Sequence, residues 1–377
     1  MNFIIIIGLT TFILLCGVLF NVLRIKKRKK RKKKKITKAF TIKFKTLRIG
    51  VIGAGAMGTF LSSLVERTGA KIVVVHDIKR EAAEKLANER KEAVATTELN
   101  KLFDTPMDGL LVCTIPTARI EPIKRACEKN IHLFIEKPPA HDLVGGRECL
   151  YAIKKSGIIA AVGFQLRYDS RYELLKQLIK GHDVHMARTV FTIGHYLDFQ
   201  VSPWFLQKKF SRGPIADSAI HLLDCVRYIF DNSRPTLAAA IGVKNMAPDH
   251  TEFDTENALQ LMYKLDNGVI GVHTNHCGHE KLHFDLELIG PHLRLKANVT
   301  DPTISGIIKG KEINEFPPKV NKLGGGLDKV EAWIKAIDTG NRGYIRSDYA
   351  ESLNTQALVD AAIKSQTTHC VEIAEKV

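Results

Sequence analysis

The chain has 377 residues, 45% of them hydrophobic and 25% charged, which suits two domains with well-buried cores and excludes a disordered polymer. Its net charge of +16 is local: residues 24–45 hold fourteen Lys or Arg and no acid, leaving only +2 on the rest, so no nucleic-acid-binding body is implied. The seven cysteines are scattered and form no C-x-x-C pair, which argues against a disulfide framework and for reduced thiols in a cytosol-facing body.

From Phe3 to Leu23 no residue is charged. As a helix this stretch would span about 31 Å, close to the hydrocarbon thickness of a bilayer. Ten consecutive basic residues, Lys26 to Lys35, follow it. That order is wrong for a cleaved signal peptide and predicts a single-pass anchor at 1–23. The polybasic linker at 24–46 would hold the body in the cytoplasm and touch anionic headgroups.

Residues 47–52 read as a short buried strand, followed at once by Gly53-Ala54-Gly55-Ala56-Met57-Gly58 and a helix from about 59 to 67. This strand–loop–helix context makes the G-x-G-x-x-G run a dinucleotide fingerprint. Gly53 makes the tight turn, Gly55 lets backbone approach a pyrophosphate, and Gly58 permits close helix–strand packing. A second strand at 71–76 ends in Asp77, placed to bind the ribose hydroxyls of NAD. Lys79 and Arg80 stand ready for the 2′-phosphate of NADP, so both cofactors remain open, with Asp77 favouring NAD. Helices at 81–90, 98–102, 118–129 and 142–155 alternate with strands at 93–96, 109–114, 131–135 and 158–163, the pattern of a doubly wound parallel sheet over 47–163. Two of these strands deliver Thr114-Ile115-Pro116-Thr117 and Glu136-Lys137-Pro138 to the carboxyl edge, where such sheets bind ligands.

Beyond 163 long strand-like segments appear at 186–194, 238–244, 257–265, 268–276 and 281–289, with helices at 170–180 and 216–230. They predict a second α+β domain over 164–377, built on a mostly antiparallel sheet. Asp266-Asn267-Gly268 supplies a hairpin turn within it. Asp217, His221 and Asp224 fall on one face of the second helix, so Asp217 is expected to hold the His221 ring and favour its protonated form. His273, His276, His279 and His283 lie near Cys277, but alternation along a strand turns His273 and His276 to opposite faces, which speaks against a shared metal. One histidine of this hairpin lining a substrate pocket is the better expectation.

In the segments V-I-G-A-G-A-M-G, C-T-I-P-T, E-K-P, V-G-F-Q-L-R and R-G-P-I-A-D-S-A-I-H-L-L-D, the chain resembles the Gfo/Idh/MocA family from residue 47 to about 373. The resemblance implies a Rossmann domain that binds NAD or NADP through Gly53, Gly55, Ala56, Met57, Gly58, Asp77, Thr114, Pro116, Glu136, Lys137 and Gln165. It implies catalytic roles for Lys137, Asp217 and His221, a place for Gln165 and Arg167 beside nicotinamide and substrate, and homo-oligomers formed through the open sheet. Two positions depart from the family pattern: Ile120 stands where a histidine is common, and Arg212-Gly213-Pro214 replaces a glycine run.

The expected activity is hydride transfer between nicotinamide and a hydroxyl-bearing carbon of a sugar, sugar derivative or cyclitol. His221 would act as general base, Lys137 would stabilise the alkoxide, and no metal is called for. An NAD-dependent glycosidase on the same scaffold and a membrane-tethered NAD(P)-binding regulator without catalysis are the alternatives.

Overall fold

The computed structural model describes residues 46–91, 93–194, 202–245, 253–279, 282–317 and 324–377. One sheet is formed by β1 (Arg48–Ile52), β2 (Lys71–His76), β3 (Val94–Thr96), β4 (Gly109–Val112), β5 (His132–Ile135) and β6 (Ala160–Val162). Its order is β3-β2-β1-β4-β5-β6 and every pairing is parallel. Four of the five β1 residues are buried, because helices cover both faces of such a sheet. The covering helices are α1 (Ala56–Arg67), α2 (Arg80–Glu89), α3 (Leu99–Asp104), α4 (Ile120–Glu128) and α5 (Leu143–Ser156). Strand order reverses between β1 and β4, so a crevice opens at their carboxyl ends, the switch point where doubly wound sheets take ligands.

After β6 come a 3₁₀ turn (Gln165–Tyr168) and the helix α6 (Ser170–Leu178), and then the second sheet begins. Its strands are β7 (Met186–Ile193), β8 (Pro235–Val243), β9 (Ala258–Leu265), β10 (Ile270–Cys277), β11 (His283–Gly290), β12 (Leu293–Asn298), β13 (Ile304–Ile308), β14 (Lys311–Glu315) and β15 (Glu372–Ile373). They run β14-β13-β12-β11-β7-β10-β9-β8-β15, antiparallel except for the parallel pair β7–β10. Burial alternates strictly along β9, so one face is core and the other open. The short helix α7 (Lys208–Ser211), a π-helical turn (Ile215–Ala219) and the helix α8 (Ile220–Ile229) lie between β7 and β8. Leu222 and Leu223 of α8 share one core cluster with Leu261, Phe284 and Leu358. The open face exposes Met186, Ile241, Met262 and Ile270.

Two C-terminal helices, α9 (Gly326–Thr339) and α10 (Tyr349–Thr368), had no counterpart in the sequence reading. Trp333 of α9 is wholly buried in the cluster of Ile49, Val51 and Leu111, with its ring 5.6 Å from that of Phe134. The chain's last stretch thus returns to pack in the core of its first sheet.

The expected membrane anchor and cytoplasm-facing, membrane-bound location need correction. Among the described residues, no helix is long and apolar enough to cross a membrane. The segments 1–23 and 24–46 on which that expectation rested fall, but for Thr46, outside the described residues.

Candidate active site

The glycine loop leaves β1 with Gly53 at φ 94°, where a Cβ would stand 2.7 Å from the Cys113 carbonyl. At Gly58 a Cβ would stand 2.0 Å from the Gly53 oxygen, so that glycine is what lets α1 approach β1. Gly55 differs: among the described residues a Cβ there meets nothing within 4 Å, and no side chain caps the helix starting at Ala56 and Met57. The loop thus presents open space beside uncapped helix N–H groups, a cradle for phosphate. Asp77 stands across it at the end of β2, accepting hydrogen bonds from Ala54 N at 2.8 Å and Lys79 N at 2.9 Å. Beside it Ile78 is 85% exposed, an apolar platform at the rim that the sequence reading passed over.

At the ends of β4 and β5 the backbone is held by a residue that also went unnoticed. Arg119 is buried and donates to the carbonyl of Thr114 from Nε at 3.1 Å and Nη2 at 2.7 Å, and to those of Glu136 and Pro138 through Nη1. Burial lowers its guanidinium to about 10, still charged at neutral pH. Nothing in the spacing of Thr-Ala-Arg announces this; only the fold brings three carbonyls together. Pro116 opens a 3₁₀ turn, and the buried Thr114 hydroxyl has no hydrogen-bond partner among the described residues. Cys113 is inert, its thiol pushed up to about 12 by burial and then by Glu136.

Lys137 follows β5 and precedes a cis peptide to Pro138. Its Nζ donates to Asp217 Oδ1 at 2.6 Å and to the Asp217 carbonyl at 2.9 Å, with the two side chains 15% and 17% exposed. Asp217 therefore serves Lys137, and the expectation that it orients His221 is corrected. It lies on the π-helical turn, whose wider winding removes the shared face that a four-residue spacing makes in an α-helix. His221, the second residue of α8, is half-buried. Among the described residues its Nδ1 is buried without a hydrogen-bond partner, and its ring centre is 6.4 Å from that of Phe284. Its proton affinity is driven well below 6.5 by burial first, then by the charges of Lys137 and Lys329. These causes favour the neutral imidazole, whereas a carboxylate partner at Asp217 would have favoured the protonated ring.

Gln165 is half-buried at the start of the turn after β6, on the same sheet edge. Arg167 and Asp224 are not part of this cluster, which corrects both placements. Arg167 is wholly buried and forks onto Asp224 Oδ2 and Oδ1, each at 2.7 Å, with further bonds to Glu351, Asn232 and the Arg346 carbonyl. Burial would lower its pKa, but Asp224 and Glu351 more than offset this and hold the charge. Arg212 takes the left-handed backbone that the usual glycine would favour (φ 60°), pairs with Asp360 and donates to the His141 carbonyl at 2.8 Å.

The histidine group divides as alternation requires. His273 is sealed on the core face with Nδ1 2.8 Å from the Thr189 hydroxyl, and burial lowers it to about 4. His276 lies on the other face, and the His279 and His283 rings stand 5.4 Å apart. Among the described residues, no three His, Cys, Asp or Glu groups are gathered to hold a metal. A cavity of about 380 Å³, lined by Lys208, Arg212, Glu256 and Gln366, lies between β8 and the end of α10. None of the proposed acid–base groups borders it, so its size does not locate the chemistry.

Residues 47–164 match the family described as "Oxidoreductase family, NAD-binding Rossmann fold", and residues 174–295 match "GFO/IDH/MocA C-terminal domain". Glucose-6-phosphate 3-dehydrogenase of Bacillus subtilis is 24% identical over 77% of this chain and 85% of its own length. Inositol 2-dehydrogenase of Cereibacter sphaeroides is 29% identical over 50% of this chain and 55% of its own. Among solved structures, levoglucosan dehydrogenase in complex with NADH and levoglucosan superposes with a TM-score of 0.77 at 17% identity, over 88% of this chain and 100% of the other. That likeness speaks for the fold.

Proposed function

The chain belongs to the Gfo/Idh/MocA family of NAD(P)-dependent oxidoreductases, and from that premise we propose that it oxidises a secondary hydroxyl of a sugar, sugar derivative or cyclitol, or reduces the corresponding ketone. The observation that carries the reading is the Lys137–Asp217 pair beside the carboxyl edge of the parallel sheet, with His221 four residues along the same segment and its proton affinity lowered by burial and then by the Lys137 charge.

The cofactor would rest on the Gly53–Gly58 loop, with Asp77 at the ribose hydroxyls and Thr114, Pro116 and Gln165 along the edge towards Lys137. When bound, NAD(P) supplies the hydride acceptor. His221 takes the proton of the substrate hydroxyl, a role its lowered proton affinity suits because the base must be neutral to accept. The Lys137 ammonium stabilises the alkoxide that develops on the same oxygen. Asp217 aims that ammonium through two hydrogen bonds.

Several relatives are named as dehydrogenases of inositols and sugars, and this supports the substrate class. Asp77 favours NAD, since a carboxylate there repels a 2′-phosphate. The NAD-dependent glycosidase alternative uses the same groups and differs in its product.

The test is a screen of inositols, sugars and sugar phosphates for NADH or NADPH absorbance, with products identified by mass. The oxidation rate should fall only as pH drops below about 6.5, the ordinary histidine value. A rate limb at or above 7 would remove His221 as the base, and a hydrolysed product without net cofactor reduction would select the glycosidase.

A further inference from the structure

Lys137 leaves the first sheet and Asp217 lies between β7 and β8 of the second, and the two segments that carry them meet twice. At the open end the Lys137 ammonium bonds Asp217. Behind it, Arg212 Nη1 donates to the His141 carbonyl at 2.8 Å, joining the chain ahead of Asp217 to the loop that follows Lys137. The same Nη1 bonds Asp360 Oδ1 on α10, and Asp360 Oδ2 accepts the Leu143 N–H at the start of α5 at 2.7 Å. The contacts close into a ring, because the Asp217 N–H donates to the carbonyl of Gly213, the neighbour of Arg212, at 3.2 Å.

Local structure gives no reason for arginine at this position. Residue 212 ends α7 in the left-handed region, at φ 60°, with its N–H on the Lys208 carbonyl at 2.8 Å. Glycine makes that cap without strain, and a long side chain is disfavoured there. Nor does Asp360 need a counter-ion: its side chain is 22% exposed and also accepts from Leu143 and from Gln356 Nε2, the latter at 2.7 Å. What Arg212 adds is the link to His141. Gln356 reaches the same carbonyl only at 3.5 Å, and from α10.

We propose that Arg212 is a positioning residue of the hydride-transfer site: by clamping the chain ahead of the π-helical turn to the loop behind Lys137, it sets the spacing at which Lys137 and Asp217 meet. The inference rests on the function proposed above. Two segments joined at one point can pivot, and a second fixed point removes that freedom. Pro214, at φ −62°, is a rigid joint between the clamp and the turn. On the far side of the turn, Ser218 donates to Asn275 Oδ1 of β10 at 2.9 Å. The turn is thus held from both sides, and Arg212 is the side that reaches the lysine loop.

The experiment uses the full chain and follows acylation of Lys137 by dilute acetic anhydride, read by peptide mass spectrometry, beside NADH binding by fluorescence. In wild type, two hydrogen bonds to Asp217 shield the amine. Arg212→Gly removes the guanidinium and suits the left-handed turn; Arg212→Asn does the same with the other residue that tolerates this backbone. The expected result is a rise in Lys137 labelling of about tenfold, the worth of one lost hydrogen bond to a charged group, with NADH affinity kept within about threefold. Asp217→Asn marks the level of a fully released lysine. Lys329, whose side chain is 1% exposed, is the internal control and should stay unlabelled. Unchanged Lys137 labelling in a folded variant overturns the inference, and so does a rise shared by Lys329, which would mean general loosening. If Arg212→Gly does not fold, Arg212→Asn is read by the same criteria; failure of both to fold makes Arg212 a residue of the fold alone and also overturns the inference. The labelling needs no substrate, so a wild type inactive on every sugar and inositol would sink the proposed function and leave this result readable by itself.

Discussion

Two acidic residues seven positions apart, Asp217 and Asp224, each tie a cation from the edge of the first sheet to the α8 region, and the two pairs differ in everything but charge. Arg167 and Asp224 are 0% exposed, both carboxylate oxygens are forked, and Asn232, Glu351, Thr355 and the Arg346 carbonyl complete the network. Nothing is left over for a ligand. Lys137 and Asp217 retain contact with solvent, and the ammonium spends two donors on one residue. A satisfied, sealed pair is architecture, whereas a pair with an open side can meet a substrate.

The sharpest way to break that contrast is Lys137→Met, which keeps the apolar stem and removes the charge. Turnover should drop by ~10²–10⁴-fold, with the thermal midpoint nearly unchanged. Steady-state rates beside thermal melts measure both, and near-normal turnover would strip the open pair of its chemical role.

Asp224→Asn probes the sealed pair. It leaves the Arg167 charge buried with less compensation, a loss on the order of 3–5 kcal/mol in stability. Turnover per folded molecule should persist. Denaturant titration gives the first number and active-site-normalised rates the second; a stable variant with lost turnover would invert the two roles.

His273 extends the comparison to a sealed neutral group. Its pKa is lowered by burial from 6.5 to about 4, so the unfolded chain binds its proton first as pH falls. The contribution is fully present above pH 6.5 and fades towards pH 4, a span worth roughly 3 kcal/mol. Unfolding free energies between pH 7 and 4 should slope accordingly in wild type and less in His273→Gln. Equal slopes would mean that the imidazole is not sealed.

The smallest effect is expected at the solvent-side acid of the cofactor loop. Asp77→Ala should weaken NAD binding by about tenfold, the worth of a hydrogen bond to a charged group, and shift preference towards NADP. Dissociation constants for both cofactors decide it, and a wild type already preferring NADP would show that Lys79 and Arg80 outweigh Asp77.

Much of the first sheet was legible because its signals are local. The 71–76 strand is where its apolar run places it, and β1 ends at the glycine loop as the fingerprint demands. The second sheet's hairpin turn at Asp266–Gly268 was legible for the same reason. The β12–β14 strands and the helices α9 and α10 escaped, having no motif to flag them.

Sequence by itself determined the cofactor loop, the Lys137 turn and the presence of Asp217 and His221 within one short segment, since each depends on residue type at fixed spacing. Only the tertiary structure decided which charges meet. The π-helical turn rotated Asp217 towards Lys137. Packing sent Arg167 to Asp224, and α9 returned across the chain to set Lys329 against Glu136. Spacing records neighbours along one element, whereas ion pairs are chosen by burial, where an unmatched charge costs more than any local preference can offset.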